Sequence, residues 1–230
     1  MVLDPLLTFW KRRFQPSDQL APLIEELESG GSEEKVTSAL LSAAASGNTF
    51  AMCRLSVHYS NPESAAFSPE RALALARQAA DLDFAPGHFL VGWYLEIGFG
   101  AAKDLLSARD HYELSAKGGY GVAALHLAEA MEDGRFGTLD SRAVIDFLSR
   151  AAFEGDSACA MRLGSWSERG NHVVQDIETA RKWYERASDH GSTLGSLRLA
   201  RAYANGELGL RRDMYKHAEY LERSQQGDLG

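Results

Sequence analysis

The chain contains little of what several classes of protein require. Only two cysteines, Cys53 and Cys159, occur in its 230 residues, which argues against a disulfide scaffold and favours buried, reduced thiols. The sequence has no apolar run long enough to span a bilayer. Its N-terminus lacks the apolar stretch and small-residue cleavage site of a signal peptide. We therefore expect a cytoplasmic protein without membrane insertion.

Positive charge is also in deficit. The chain has 24 lysines and arginines against 32 aspartates and glutamates, which gives a formal net charge of −8. Nonspecific binding to nucleic acid or to an anionic membrane needs an excess of basic residues. The acidic average therefore favours another protein as the partner, with no nucleic acid.

The residue spacings that mark metal sites and catalytic sites are missing. The seven histidines are scattered, and neither H-x-x-x-H nor C-x-x-C occurs. The glycines of Gly98-Phe99-Gly100 lie between two predicted helices, whereas a nucleotide-binding loop follows a strand. The sequence thus predicts no metal, no cofactor and no catalytic residue, hence a protein that is not an enzyme. A hydrolase with an unrecognised site is the remaining catalytic alternative.

Glycine is abundant, and many glycines recur at one spacing. A marker returns every 36 residues, with an aspartate in one position: Gly47, Asp83, Gly119, Gly155, Gly191 and Gly227. Four residues after the marker the chain carries a small residue, and eight after it an apolar one. These two spacings lie on one face of an α-helix. A repeat of this length is a supersecondary unit that buries its apolar face only by stacking on its neighbours.

Helix ends recur in the same phase. Fifteen residues after the marker, four repeats have a glycine that predicts a helix stop: Gly98, Gly134, Gly170 and Gly206. Six residues later, three repeats have an aspartate and one a serine that predict an N-cap: Ser68, Asp104, Asp140 and Asp176. Each repeat is therefore a hairpin of a helix A and a helix B. The fold class that follows is all-α, an α/α superhelical solenoid without strands.

The phase also sets the domain boundaries. The solenoid is predicted over residues 47–226, as five repeats: 47–82, 83–118, 119–154, 155–190 and 191–226. Residues 1–46 are predicted to form an N-terminal cap segment with lone helices. One of these helices is expected from Ser17-Asp18 to Gly30-Gly31 and another from Glu33 to Ala45. Residues 227–230 are a C-terminal tail.

The repeat resembles a known family. The clearest copy contains Leu163-Gly164, Gly170, Asp176, Ala180, Trp183-Tyr184 and Ala187, and a second contains Gly92, Gly98-Phe99-Gly100, Asp104, Ala108 and Tyr112. This pattern is similar to the Sel-one-like (Sel1-like) repeat, a longer-period relative of the tetratricopeptide repeat. The resemblance implies an adaptor or scaffold that holds other proteins, mostly on the inner surface made by helix A.

A row of basic residues is the main candidate for a binding surface. The position seven residues after the marker is Arg54, Leu90, His126, Arg162 and Arg198 in successive repeats, and Arg201 lies one turn beyond the last of these. Equivalent positions of stacked helices line up, so we expect a basic stripe on the inner surface. The alternative is pairing within the chain, because four glutamates are close enough in sequence: Glu96, Glu129, Glu132 and Glu168.

Three aromatic residues flank this row. Trp93, Tyr94 and Trp166 lie ten or eleven residues after the marker, and such side chains could anchor a partner or fill the core. The function predicted from all of this is a cytoplasmic adaptor or scaffold that binds an acidic segment of another protein along its concave surface. An inhibitor or immunity protein dedicated to one toxin or enzyme is the second reading.

Overall fold

The computed structural model describes residues 33–226, and this part of the chain is entirely helical. Eleven helices follow one another: α1 (Glu33–Ala45), α2 (Thr49–Ser60), α3 (Pro69–Asp81), α4 (Ala85–Ile97), α5 (Leu105–Lys117), α6 (Gly121–Asp133), α7 (Ser141–Phe153), α8 (Ser157–Arg169), α9 (Ile177–Asp189), α10 (Thr193–Asn205) and α11 (Met214–Gln226). No strand occurs among these residues, so the predicted all-α class is confirmed. The cap and helix predicted before residue 33 and the tail at 227–230 lie outside the described residues.

The helix ends lie where local chemistry predicts them. The Asp104 carboxylate accepts hydrogen bonds from the backbone N–H groups of Leu106 and Ser107, both at 3.1 Å, and thereby satisfies two donors that the first turn leaves open. Asp140, Asp176 and Ser68 cap α7, α9 and α3 in the same way. Four predicted stops adopt the left-handed conformation with φ between 74° and 76°: Gly98, Gly134, Gly170 and Gly206. A residue with a side chain rarely adopts this conformation.

The chain divides into two compact units, with the boundary between Ala123 and Ala124 inside α6. In the first unit, α2 packs on α3 and α4 on α5, and α3 joins the two hairpins. Small residues allow this close approach. A Cβ added at Gly87 of α4 would lie 2.7 Å from the backbone nitrogen of Ala80, a distance that non-bonded atoms do not tolerate.

The second unit repeats this arrangement. Helix α8 packs on α7 and α9, α10 packs on α9 and α11, and α8 also touches α10. The contact of α8 with α9 depends on Gly164, where an added Cβ would lie 2.7 Å from Cε1 of Tyr184. Cys53 of the first unit and Cys159 of the second are both buried free thiols. No helix between residues 33 and 226 has both the length and the apolarity to cross a membrane.

Candidate functional site

Two of the three predicted aromatic anchors lie inside the protein. Tyr94 of α4 is only 3% exposed, and its hydroxyl bonds the Ser56 hydroxyl at 3.0 Å and the Ser56 carbonyl at 3.2 Å. Trp166 of α8 is 1% exposed. Both rings are packed in the core, which agrees with the second of the two readings that the sequence left open, core filling, and not with a surface anchor. Trp93 is 43% exposed, and its ring stacks on Phe89 at 6.5 Å between centroids.

The basic row is engaged with carboxylates in the second unit. The Arg162 guanidinium of α8 donates to Glu132 at 2.9 Å and to Glu129 at 3.4 Å. The Arg198 guanidinium of α10 donates to both oxygens of Glu168 and, at 2.9 Å, to Glu207. Pairing within the chain, the alternative to a free basic stripe, therefore describes Arg162 and Arg198.

Two other members of the row lie half-buried. Arg54 is on α2 in the first unit. His126 is on α6 in the second unit, with its ring 6.3 Å from that of Phe136. Neither residue is part of the groove described below.

A carboxylate near the end of helix A recurs with the period of the repeat. Glu168 accepts a hydrogen bond from the Tyr184 hydroxyl at 2.7 Å, and Glu132 accepts one from the Trp166 indole at 2.8 Å. In the first unit, Glu96 accepts a bond from the Tyr112 hydroxyl at 2.7 Å. Glu96, Glu132 and Glu168 are 36 residues apart. The sequence carried this signal, but periodicity alone did not reveal the aromatic donors.

These hydrogen bonds favour the ionised carboxylates. Donation by Arg198, assisted by the Tyr184 hydroxyl, lowers the pKa of Glu168 in spite of its partial burial. For Glu132, burial acts in the opposite direction, but the bonds from Trp166 and Arg162 outweigh it and lower its pKa. Burial and the bond to Glu168 raise the pKa of Tyr184. Glu132 and Glu168 thus favour the ionised form and hold neighbouring helices together through these bonds.

A groove of about 720 Å³ lies in the second unit between α8, the start of α9, α10 and the loop after α10. We call it the α8–α10 groove. Its lining includes the apolar Met161, Ile177, Leu194, Leu197 and Leu208 and the charged Glu168, Arg169, Arg198, Arg201 and Glu207, together with Ser165 and Tyr184. Leu194 and Leu197 are 66% and 41% exposed. Two exposed leucines one turn apart on a helix form an apolar patch that the second unit itself does not cover.

The arginines of the α8–α10 groove differ in how many hydrogen bonds and ion pairs they form and in how exposed they are. All three guanidinium nitrogens of Arg198 donate to Glu168 or Glu207, and its side chain is 18% exposed. The Arg201 side chain is 71% exposed and has one ion pair, at 3.5 Å to Glu207. Arg169 is exposed and forms no ion pair with a described residue. Arg201 and Arg169 are therefore the cations available to a ligand.

No group of three or more histidine, cysteine, aspartate or glutamate side chains with metal-binding geometry occurs between residues 33 and 226.

Comparison with known proteins identifies the repeat. The family model for the Sel1 repeat matches four segments, residues 49–84, 85–120, 157–192 and 194–224. The chain belongs to the Sel1 repeat family. Proteins with this repeat typically mediate protein–protein interaction, and the family is generally non-catalytic. All residues that line the α8–α10 groove lie in the third and fourth matched segments, 157–192 and 194–224.

Solved structures share the fold. The chain resembles a Sel1 repeat protein from Oxalobacter formigenes with a TM-score of 0.72 and 22% identity, over 90% of this chain and 84% of the other. It also resembles the immunity protein PA5088 from Pseudomonas aeruginosa with a TM-score of 0.65 and 16% identity, over 92% of this chain and 82% of the other. These likenesses confirm the predicted α/α solenoid.

One curated protein is related in sequence. The chitin synthase regulator SKT5 of Malassezia restricta is 28% identical over 134 residues, which are 56% of this chain. The chain spans only 9% of the length of that relative. The match therefore covers only a small part of that relative.

Proposed function

We propose that the chain is a non-catalytic protein-binding scaffold, and that its α8–α10 groove contacts the partner. The observation that carries this proposal is the exposure of Leu194 and Leu197, at 66% and 41%, on the helix that also presents Arg201. Apolar patches with a polar rim mark interaction surfaces. Membership of a family whose repeats typically bind proteins supports the same conclusion.

The proposal narrows the set of binding residues that the sequence suggested. Arg162 and Arg198 already bond carboxylates of the neighbouring helix, so their role is to hold α8 and α10 in place. Arg201 lines the groove with an exposed guanidinium. The exposed ring of Trp93 remains a separate candidate in the first unit. We place the scaffold in the cytoplasm, in line with its two free, buried thiols.

A second candidate is an immunity protein that inhibits one toxin or enzyme. The fold likeness to PA5088, which is described as an immunity protein, favours it. A dedicated inhibitor binds a single partner very tightly, whereas a scaffold binds one or more partners with moderate affinity. The number of partners and the dissociation rate of each complex separate the two functions.

Site-specific photo-cross-linking in the native cell tests the proposed surface. A benzoylphenylalanine placed at Leu194 should give a discrete adduct with another protein. The matched control is the same replacement at Leu106 of α5, because these two leucines have nearly equal exposure, 66% and 68%. Adducts of equal yield at both positions, or adducts at Leu106 alone, would show that the α8–α10 groove is not the binding surface.

A further inference from the structure

We infer that the α8–α10 groove binds a protein segment that presents a bulky apolar side chain close to a carboxylate. This inference rests on the proposed function and adds the chemistry of the partner. Two features of the groove carry it: an apolar patch on α10, and exposed cations beside that patch, Arg201 and Arg169, of which Arg201 has a single ion pair at 3.5 Å.

The apolar patch offers a place for one large side chain. Leu194 and Leu197 lie three residues apart on α10, and therefore on one face of the helix. Met161 of α8 lines the groove opposite them. The two leucines remain largely exposed in this structure. An aliphatic or aromatic side chain seated between α8 and α10 would remove all three from water.

An exposed cation beside this patch is Arg201. It lies four residues after Leu197 on the same helix, and residues at that spacing are neighbours on the helix surface. Its ion pair with Glu207 is 3.5 Å long, beyond the usual range of an N–H···O hydrogen bond. Glu207 also accepts shorter bonds from Arg198 at 2.9 Å and from Asn205 at 3.0 Å. The Arg201 guanidinium therefore keeps donors for a second carboxylate.

The charge of the groove favours an anionic partner over a cationic one. Its lining contains three arginines and two glutamates, which leaves one net positive charge, whereas the whole chain carries −8. Both glutamates are already engaged by arginines. A lysine or arginine of a partner would therefore meet the exposed Arg201 and Arg169 without a free carboxylate, and like charges brought together cost free energy.

The spacing of the two features predicts the spacing of the partner's residues. Four residues of α10 separate Leu197 from Arg201, which corresponds to about 6 Å along the helix axis. An extended segment covers a similar distance in two residues, at roughly 3.3 Å per residue. A helical segment covers it in four residues. The apolar residue and the acidic residue should thus be two apart in an extended partner, or four apart in a helical one.

Selection from a random library tests this chemistry without knowledge of the natural partner. Phage-displayed random dodecapeptides would be selected on the immobilised full-length chain, after depletion on the Leu197→Glu variant. We expect the retained peptides to pair Asp or Glu with a bulky apolar residue, two or four positions apart. Fluorescence anisotropy of a retained peptide should show that Arg201→Glu weakens binding about tenfold, as expected for reversal of one charge in a contact pair.

The matched control for Arg201 is Lys182. Lys182 is 64% exposed, has a single ion pair, to Glu178, and does not line the groove. Lys182→Glu should change the affinity by less than about twofold. The inference would be overturned if the retained peptides are basic or neutral, or if Arg201→Glu and Lys182→Glu have equal effects. It would also be overturned if no peptide is retained above the level seen with Leu197→Glu. The proposed function would survive these results if Leu194 still forms its cross-link in cells, and it fails independently if that cross-link is absent.

Discussion

The Nδ1 atoms of His88 and His111 lie 3.1 Å apart and join α4 to α5 in the first unit. One ring must donate a proton and the other accept it, so at least one of the two imidazoles is neutral. Burial lowers the pKa of both rings. For His111, the neighbouring His88 and Arg77 lower it further.

This pair predicts a stability that depends on pH. Both folded-state pKa values lie below the value of about 6.5 of an unfolded histidine, although the carboxylates of Asp81, Asp83 and Asp110 oppose the shift. The unfolded chain therefore binds more protons at acidic pH. The stabilisation by the pair is complete above about pH 6.5 and is lost as the pH falls through the folded-state values. The unfolding free energy should be measured by urea denaturation between about pH 7.5 and about pH 5. This range includes the unfolded-state histidine pKa of about 6.5.

The double variant His88→Asn/His111→Asn removes both titrating groups. Its unfolding free energy should fall less steeply with acid than that of the wild type. His190→Asn, which changes an exposed histidine of the second unit, should keep the wild-type slope. Equal slopes for the wild type and the double variant would contradict a role of the pair in acid sensitivity.

Gly164→Leu tests the close contact of α8 with α9. Because even a Cβ at Gly164 would lie 2.7 Å from the Tyr184 ring, the larger side chain must displace that ring. Overpacking of this kind costs about 1–3 kcal/mol, and the melting temperature should fall accordingly. Ala158→Leu adds the same side chain at an exposed position of α8 and should leave the melting temperature nearly unchanged. Similar melting of the two variants would show that the contact is loose.

Charge reversal separates the paired arginines from the exposed one. Arg162→Glu places a third carboxylate beside Glu129 and Glu132, which now contact the guanidinium at 3.4 and 2.9 Å. Because these groups are partly exposed, we expect a loss on the order of 1 kcal/mol in the free energy of unfolding, measured in urea. Arg201→Glu should change it by less than about 0.5 kcal/mol. The reverse order of the two losses would mean that Arg201, and not Arg162, has the structural role.

Tyr184→Phe tests the carboxylate that recurs in three of the repeats, as Glu96, Glu132 and Glu168. The substitution removes the hydroxyl that donates to Glu168 at 2.7 Å, while the ring stays in a site only 3% exposed. A buried hydrogen bond of this kind contributes about 0.5–1.5 kcal/mol, or somewhat more to a charged acceptor. Thermal denaturation should show the loss. The control is Tyr215→Phe, at a position 81% exposed, which should leave the stability unchanged. A loss of the same size in this control would show that the hydrogen bond from Tyr184 to Glu168 is not the cause.

Several features follow from short stretches of sequence, and these could be predicted. Asp104 caps α5 through N–H groups two and three residues away, and Gly98 ends α4 through its own backbone conformation. Both effects are local, so the residue type and its place in the 36-residue phase are sufficient. The helical class depends on the same local rules.

The candidate site could be predicted only in part, because its contacts join residues that are distant in sequence. Pairing of Arg162 with a glutamate such as Glu132 was one of two alternatives that the sequence left open, the other being a free basic stripe. Their bond spans 30 residues, and only the packing of neighbouring helices decides that it forms. The same packing turns the Trp166 ring inward onto Glu132. The meeting of His88 with His111, 23 residues apart, corresponds to no spacing motif.

The sequence by itself determined the helices, their caps and the small residues that let them approach, since these depend on backbone chemistry repeated at a fixed period. The tertiary structure decided which side chains remain for a partner. Arg198 and Arg201 are three residues apart on one helix. Arg198 forms an ion pair with Glu168 of α8, whereas Arg201 remains exposed. Whether an arginine can bind a partner depends on the carboxylates that helix packing places beside it. The position of the arginine in the repeat does not determine those contacts.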